Sequence, residues 1–287
     1  MNLKIIVAGK VAIFAAAHIA GLAGFILCWL WLVGYMVPVT GEMIAWCVTL
    51  YFVRMFGITG VYHRYFAHRT FRTSRIFQFC LAFLGATASQ KGPLWWAAHH
   101  RHHHRFSDTE DDVHSPIVRG FIYSHIGWLL FPASYATRYE DIKDFAKYWE
   151  LRLLDTWWVL PPVLLATACW WLGGWGGLIV SFFLSTVLLW HGTFCINSLT
   201  HLYGSKSYKT GDESRNSFVM ALITMGEGWH NNHHRFPASE RQGIWQWQLD
   251  ITHYIIVVMS WAGLVWAIQT HTNLSGYSQK IYTERME

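Results

Sequence analysis

Apolar residues occur in long runs that polar segments separate. The first run covers residues 18–37, and a break at 38–42 separates it from a second run at 43–61. Each run has close to the ~20 residues that a helix needs to cross the hydrocarbon core of a bilayer. Because the break is short and contains Pro and Gly, the two runs predict a helical hairpin.

A second pair of apolar runs covers residues 156–172 and 178–199. The five residues between them, 173–177, have the sequence Gly-Gly-Trp-Gly-Gly, and glycines of this density favour a tight turn. The chain is therefore expected to be an all-α integral membrane protein with four transmembrane helices in two hairpins.

The distribution of basic residues predicts the orientation of these helices. Lys and Arg number 12 between residues 64 and 152 and five between residues 206 and 241, while the turns at 38–42 and 173–177 contain none. Positively charged segments stay on the cytoplasmic side of a membrane. Residues 62–155 and 200–287 are thus predicted to form one cytoplasmic helical domain, with both termini cytoplasmic, in a single membrane domain spanning 1–287.

Two further apolar segments are not expected to cross. A fifth crossing at 251–269 would move the C-terminus to the other side, so this segment is predicted to be an interfacial helix. The segment 76–88 is too short to cross and is placed at the membrane surface. Residues 1–30 have features of a signal peptide, with Lys4 and Lys10 before an apolar stretch, but the hydrophobicity continues to Val37 and favours a retained anchor.

Composition excludes several classes of protein. Hydrophobic residues make up 53% of the chain and charged residues 14%, against about 25% charged residues in soluble domains. The net charge of +5 is dispersed around the apolar runs, so it reflects membrane topology and predicts no nucleic-acid partner. Five cysteines without any C-x-x-C spacing indicate neither a disulfide framework nor a thiolate metal site.

Histidine is the anomalous residue, with 17 copies. The pattern H-x-x-H-H occurs twice and places three imidazoles on one face of a helix, whereas chance would produce roughly 0.06 matches in this chain. All-imidazole sites suit iron, zinc, copper or nickel. Nine histidines are too many for one ion but enough for two ions with open positions, which are typical of catalytic sites. These nine lie in four groups: His63 and His68; His100, His103 and His104; His201; and His230, His233 and His234.

The remaining histidines have weaker patterns. His18, His191, His253 and His271 are isolated and are interpreted as packing or interfacial residues, while His99, His114 and His125 lie near the groups without a clear role. If 99–104 is helical, His102 points some 160° from His100 and His104. His102 is therefore not expected to be a metal ligand.

The histidine groups and their flanking residues resemble the membrane fatty-acid desaturases of the stearoyl-CoA, or delta-9, type. The resemblance covers roughly residues 45–250. It is carried by these motifs in order: Gly57-Ile58-Thr59-Gly60-x-x-His63-x4-His68-Arg69, His100-x2-His103-His104-Arg105-Phe106-Ser107-Asp108-Thr109, Ser124-His125-x-Gly127-Trp128, Asn197-x3-His201-Leu202-Tyr203-Gly204 and Gly226-Glu227-Gly228-x-His230-x2-His233-His234-x-Phe236-Pro237.

The resemblance implies a diiron centre that the nine histidines hold, with Asn197 reaching one iron through water. Zinc is an alternative occupant after recombinant expression. The chemistry belongs to the metal centre, so no side chain is assigned a catalytic role. The residues implied to line the bend of the substrate tunnel are Gln90, Trp96, Thr193 and Phe194.

The implied reaction is oxygen-dependent desaturation of an acyl chain. Two electrons come from an external donor, which is a ferredoxin, a cytochrome b5 or a reductase. Acyl-CoA is the expected substrate, but Ala98 and His99 replace an Arg-Asp pair and Phe194 replaces a Trp of the animal enzymes, so acyl carrier protein and a glycerolipid stay open. A basic surface is expected to attract an acidic partner through Arg64, Arg69, Arg72, Arg75, Arg101 and Arg105.

Three alternative functions follow from the same residues. A related diiron hydroxylase or acetylenase would use the same oxidant on an acyl chain, and product analysis separates these from a desaturase. A metal transporter with histidine-lined helices would place its ligands at mid-membrane, whereas these lie beyond the helix ends. A zinc hydrolase is disfavoured because H-E-x-x-H is missing.

Overall fold

The computed structural model describes residues 3–131 and 134–271, and most of this chain is helical. The α-helices are α1 (Leu3–Leu32), α2 (Gly41–Phe56), α3 (Arg75–Ala86), α4 (Pro93–Phe106), α5 (Pro116–Arg119), α6 (Trp128–Leu130), α7 (Lys143–Ala146), α8 (Trp149–Thr156), α9 (Leu160–Gly176), α10 (Ser185–Ser198), α11 (Phe218–Ile223), α12 (His230–Arg235) and α13 (Ile251–Trp261). Segments Gly57–Ala67, Tyr123–Gly127 and Gly177–Leu184 are π-helical, and Tyr139–Asp141 and Leu199–His201 are short 3₁₀ turns.

Three helical stretches in the described chain are apolar and long enough to cross a membrane, namely Ile6–Leu32, Gly41–Ala67 and Leu160–His201. The third has 42 residues, which would extend about 63 Å if straight. It is not straight, because Gly174 has φ 56° and breaks the helix. A Cβ at Gly177 would lie 2.2 Å from the carbonyl oxygen of Cys169, so the chain reverses direction here.

The reversal falls within the turn predicted at 173–177. It lies against the other predicted turn, since a Cβ at Gly176 would lie 2.3 Å from the carbonyl oxygen of Pro38. The two turns therefore meet at one end of the bundle. The histidine groups lie at the other ends of the apolar stretches.

The first helix differs from its predicted bounds of 18–37. It runs from Leu3 to Leu32. The Lys10 side chain within it has a partner, because the Lys10 ammonium lies 2.9 Å from the centroid of the Tyr135 ring. A cation over an aromatic face is stabilised electrostatically. The third predicted run also starts later, at Leu160, because residues up to Thr156 belong to α8.

Neither short apolar segment is long enough to cross. The predicted interfacial segment 251–269 is helical only over the 11 residues of α13, about 16 Å against a hydrocarbon core of ~30 Å. Beyond α13, β2 (Val265–Trp266) pairs antiparallel with β1 (Arg72–Thr73). This small ribbon corrects the expectation of a purely α-helical chain, and residues 272–287 of the predicted cytoplasmic segment lie outside the described residues.

The main hydrophobic core lies where the π-helical segment Gly57–Ala67 packs between α3 and α4. Buried members include Tyr62, Phe66 and Leu94. The π segment approaches α3 closely, because a Cβ at Gly57 would lie 3.0 Å from the Cα of Gly85. Each large apolar side chain buried here contributes about 1.5–3 kcal/mol. The core thereby fixes the relative positions of the first two histidine groups.

Candidate metal centre

The first histidine group depends on π-helical geometry. His63 and His68 are five residues apart, and the His68 backbone N–H donates to the carbonyl of His63 at 3.1 Å, the i→i+5 bond of a π-helix. The wider turn brings the two rings to the same face, with centroids 4.8 Å apart. An ordinary α-helix would rotate them 140° apart.

The second group lies on α4, which presents His100, His103 and His104 from successive turns. The helix begins at Pro93, a favoured first residue. Asp155 accepts hydrogen bonds from the backbone N–H groups of Leu94 and Trp95 at 3.0 and 2.9 Å. This carboxylate from α8 satisfies donors that the first turn leaves free, and so anchors the N-terminal end of the histidine helix.

The last group lies on α12, which has only six residues and needs outside support. The Asn216 side-chain oxygen accepts from the backbone N–H groups of Asn231 and Asn232 at 3.0 and 3.2 Å, and its amide donates to the Asn232 side chain at 2.8 Å. The buried Asn232 amide also donates to Gln248 at 3.0 Å. These bonds hold His230, His233 and His234 in one orientation.

The nine predicted histidines lie in two clusters. Within each cluster the nearest ring nitrogens all lie within 4.8 Å of one another. Histidine cluster 1 consists of His63, His68, His100, His104 and His233, and histidine cluster 2 consists of His103, His201, His230 and His234. Each cluster draws on more than one of the four sequence groups, and both triplets divide between the clusters.

The spacing of the nitrogens fits a metal ion. In cluster 1 four Nε2–Nε2 separations are 2.8–3.1 Å, and in cluster 2 the His201–His230 separation is 3.0 Å. For metal–nitrogen bonds of about 2.1 Å, adjacent ligands of an octahedral site lie about 3.0 Å apart. The five imidazoles of cluster 1 and the four of cluster 2 would each hold one metal ion.

Four buried carboxylates orient histidine rings by contacting their Nδ1 atoms. The Nδ1 atoms of His103, His201 and His234 donate to Asp112, Asp108 and Asp212 at 3.0, 2.8 and 2.5 Å, and that of His63 pairs with Glu227. Because each carboxylate accepts a hydrogen bond from an Nδ1–H group, the proton stays on Nδ1 and the Nε2 lone pair of the neutral ring is left for a metal. The lone pairs would repel one another without a cation between them.

The electrostatic environment favours the neutral form of the cluster histidines that have no carboxylate partner. Burial and neighbouring imidazoles hold the pKa well below its ordinary value for the five cluster histidines with no carboxylate partner, which are His68, His100, His104, His230 and His233. Neutral imidazole is the form that binds metals. Burial opposes ionisation of the four carboxylates, but the histidines outweigh it and lower the pKa of Asp108, Asp112, Asp212 and Glu227.

Sequence reasoning assigned no role to these carboxylates. Asp108 and Asp112 follow the His100 group within the same loop, and Glu227 precedes His230, so an acidic residue close to a histidine group was an available signal. The partners themselves were not predictable, since Asp108 binds His201, 93 residues away.

The other histidines lie outside the two clusters. His102 is buried, and its Nε2 lies 3.0 Å from the carbonyl oxygen of Asp111. His18, His191 and His125 form a hydrogen-bonded string with steps of 3.1 and 3.0 Å that joins α1, α10 and the π-helical segment Tyr123–Gly127, so His18 and His191 have packing roles. His253 donates to Glu240 at 2.5 Å.

Three more histidines lie near the clusters or the surface. His114 and Asp112 lie close enough to His103 to form a third group of possible ligands, but Asp112 already binds the His103 ring. His99 Nδ1 donates to the Trp95 carbonyl at 2.9 Å. His271 is half-buried near the ring of Phe236.

An apolar cavity of about 780 Å³ adjoins histidine cluster 1. All four predicted tunnel residues lie on its wall with His100 and Asn197: Gln90, Trp96, Thr193 and Phe194. Gln90 donates to the Thr193 hydroxyl at 2.7 Å and accepts from the Trp96 indole at 3.3 Å, while the Trp96 ring stacks on His100. Gln90, Thr193 and Trp96 thus satisfy one another's polar groups beside the cluster.

The predicted basic surface needs correction. Arg64 is 1% exposed and donates to Asp250 and Glu227 at 2.8 and 3.1 Å, and to the Glu240 carbonyl at 2.8 Å. Four of the other predicted arginines pair with carboxylates of the same chain, namely Arg69, Arg75, Arg101 and Arg105. Their clustering in sequence reflects internal ion pairs rather than an uncompensated patch.

Comparisons with known proteins identify similar chains. The sequence pattern of the fatty acid desaturase family matches residues 41–256. An acyl-CoA 5-desaturase of Anemone leveillei is 40% identical over 222 residues, which cover 76% of this chain and 68% of that protein. An acyl-CoA C20 Delta5-desaturase of the same species is 37% identical over 79% of this chain and 74% of its own length. An sn-1 stearoyl-lipid 9-desaturase of Anabaena variabilis is 37% identical, with coverage of 72% and 76%.

Proposed function

Since this chain belongs to the fatty acid desaturase family, we propose that it is an oxygen-dependent membrane desaturase that introduces a double bond into a fatty acyl chain at a diiron centre. The observation that carries the proposal is the contact between an apolar cavity and a metal-binding cluster, since His100 belongs to both. An acyl chain in this cavity would place its methylenes beside the ligands.

The proposed membrane arrangement has four crossings and a cytoplasmic cap. It is supported by the reversal at Gly174, which divides the 42-residue apolar stretch into two passes. His63 and His201 lie near the ends of the second and fourth passes, on the side away from both turns. The basic residues of 62–155 and 200–287 favour the cytoplasm for this side and for both termini.

Two iron ions are the proposed occupants, one in each histidine cluster, with Asn197 reaching one of the two ions through water. Iron suits imidazole ligands, and zinc competes for the same sites in a recombinant preparation. Asp108, Asp112, Asp212 and Glu227 place negative charge directly behind the histidines, which would help to compensate the charge of two divalent ions. A buried charge is stable only when it is compensated in this way.

Iron, when bound, supplies the redox chemistry with O₂ that no amino-acid side chain provides. The balanced reaction is –CH₂–CH₂– + O₂ + 2e⁻ + 2H⁺ → –CH=CH– + 2H₂O. The protein binds the acyl chain in the cavity, where Trp96, Thr193 and Phe194 form the wall and exclude water. The Gln90 bridge between Trp96 and Thr193 keeps these side chains in a fixed orientation.

Acyl-CoA is the proposed substrate form, and acyl carrier protein or a glycerolipid is the alternative. Two similar plant proteins are named for acyl-CoA, while the cyanobacterial relative is named for a lipid-linked chain. The two electrons are proposed to come from a ferredoxin, a cytochrome b5 or a reductase. A diiron hydroxylase or acetylenase is the alternative reaction, and a metal transporter is disfavoured because the clusters adjoin an acyl-sized cavity.

Expression in a desaturase-deficient host tests the reaction. Gas chromatography with mass spectrometry of the cellular fatty acids should detect a new monounsaturated acid with the wild type and none with His103→Ala produced at equal level. A hydroxylated or acetylenic product would establish the alternative reaction. Absence of any new product from a metal-loaded wild type would overturn the proposal.

A further inference from the structure

Arg54 is a cation inside an apolar membrane helix. Arg54 lies on α2 within the stretch Gly41–Ala67 and is 1% exposed. All its hydrogen-bond partners in the described chain are neutral oxygens: the Leu50 carbonyl at 3.0 Å, the Thr87 carbonyl at 3.3 Å, the Thr186 hydroxyl at 2.7 Å and the Ser185 hydroxyl at 2.5 Å. An intramembrane charge without a counterion is costly and marks a functional position.

Two of the groups around Arg54 belong to the wall of the apolar cavity. Thr186 lines the cavity, and its hydroxyl accepts a hydrogen bond from Arg54 while donating to the Phe182 carbonyl at 2.7 Å. The Thr186 hydroxyl thus has both an accepted and a donated hydrogen bond, and both are directed toward the side of Arg54. The Thr186 methyl group is therefore the γ substituent left for the cavity, and the wall is apolar at this position.

Phe182 also lines the cavity, and its ring centroid lies 5.5 Å from the Arg54 Cζ. This distance is within the range of a cation–π contact. The guanidinium thus packs against one side of the Phe182 ring, and another side of the ring faces the cavity. Arg54 holds two neighbouring wall residues, one through its hydroxyl and one through its ring.

Both wall residues lie at the end of the cavity that is distant from the metal clusters. The cavity wall along this helix runs from Asn197, near the clusters, down to Phe182. The 15 residues between them correspond to about 22 Å of helix. Phe182 follows the reversal at Gly174 by eight residues and belongs to the segment Gly177–Leu184, which begins at that turn.

We propose that Arg54 is a positioning residue that fixes the distal wall of the acyl tunnel and thereby limits the length of the chain beyond the reacting carbons. The inference rests on the proposed function, because it takes the cavity to hold an acyl chain. Arg54 touches no substrate itself. It acts through Thr186 and Phe182.

Removing the guanidinium should leave the local fold intact. The hydroxyls of Ser185 and Thr186 keep their own bonds to backbone carbonyls of the preceding turn. Phe182, however, loses the group behind its ring and can move into the vacated volume. The tunnel becomes longer, and each additional buried methylene is worth about a fourfold gain in selectivity.

The test compares wild type, Arg54→Ala, Arg54→Lys and Val53→Ala in desaturase-deficient cells supplied with a mixture of saturated fatty acids of graded even chain length. Product ratios come from gas chromatography, and purified proteins are checked for metal content. Arg54→Ala should favour the acid two carbons longer than the wild-type optimum by roughly 10-fold or more. Val53→Ala, on the exposed neighbouring position of α2, should keep the wild-type preference, and Arg54→Lys should shift it less than Arg54→Ala.

An Arg54→Ala protein that retains its metals and loses activity equally on all chain lengths would overturn the inference by showing a purely structural role. If Arg54→Ala does not accumulate, Phe182→Leu tests the same wall with Arg54 intact and should also favour longer chains. An unchanged preference in Phe182→Leu would contradict the proposal. A wild type inactive on every acid would instead refute the proposed function.

Discussion

Replacing Asp112 by Asn should weaken metal binding in histidine cluster 2. The Asp112 side chain is fully buried and accepts bonds from the His103 ring at 3.0 Å, the Asp108 backbone N–H at 3.0 Å and the His114 backbone N–H at 3.1 Å. An Asn amide must point its NH₂ group at one of these donors, whichever way it is turned. The His103 ring then loses either its charge-assisted bond or its fixed tautomer.

The expected effect is a 10- to 100-fold loss of metal affinity, which is typical for an altered carboxylate behind a histidine ligand. This corresponds to about 1.4–2.7 kcal/mol. Competition with a chelator of known affinity measures the loss, and thermal unfolding of the metal-free protein measures the separate effect on stability.

Glu150→Gln is the matched control, because Glu150 pairs with the exposed Arg75 at the surface and contacts none of the cluster histidines. It should bind metal like the wild type. If Asp112→Asn also retained both metals at wild-type affinity, the role assigned to the carboxylates would be wrong.

Further substitutions test the positions of the ligands and of the segment before α12. His103→Ala should lose a metal and all turnover, whereas His102→Ala should keep two metals and substantial activity; the reverse pattern, by metal analysis and product yield, would show that the ligand positions on α4 are misassigned. Gly228→Ala should destabilise the protein by about 1–3 kcal/mol or more, because its Cβ would lie 2.0 Å from the Ala221 nitrogen, while Gly211→Ala has open space and should be neutral in thermal unfolding. Chelation should lower the unfolding temperature of the wild type, since metal binding is coupled to folding, and an unchanged temperature would argue against an occupied centre.

The positions of the long apolar helices were largely predictable, and the reasons are local. Apolar runs of about 20 residues and the glycines at 173–177 are properties of single segments. The start of α1 was predicted too late, and the Tyr135 ring that faces Lys10 in this helix lies far along the chain. A pattern along one segment contains no information about such a partner.

The candidate site shows the same limit. The H-x-x-H-H spacing selected the residues that meet in space, because α-helical periodicity converts it directly into one face. The spacing of His63 and His68 has no such meaning until the segment is known to be π-helical. The division into five and four histidines, and the carboxylates behind them, depend on contacts between distant segments.

The most direct test of the account is the iron content of the purified, active protein per polypeptide chain. Elemental analysis together with quantitative amino-acid analysis should find two iron ions per chain in a preparation that desaturates acyl chains. One iron, or none, in a fully active preparation would contradict the assignment of two histidine clusters to a diiron centre.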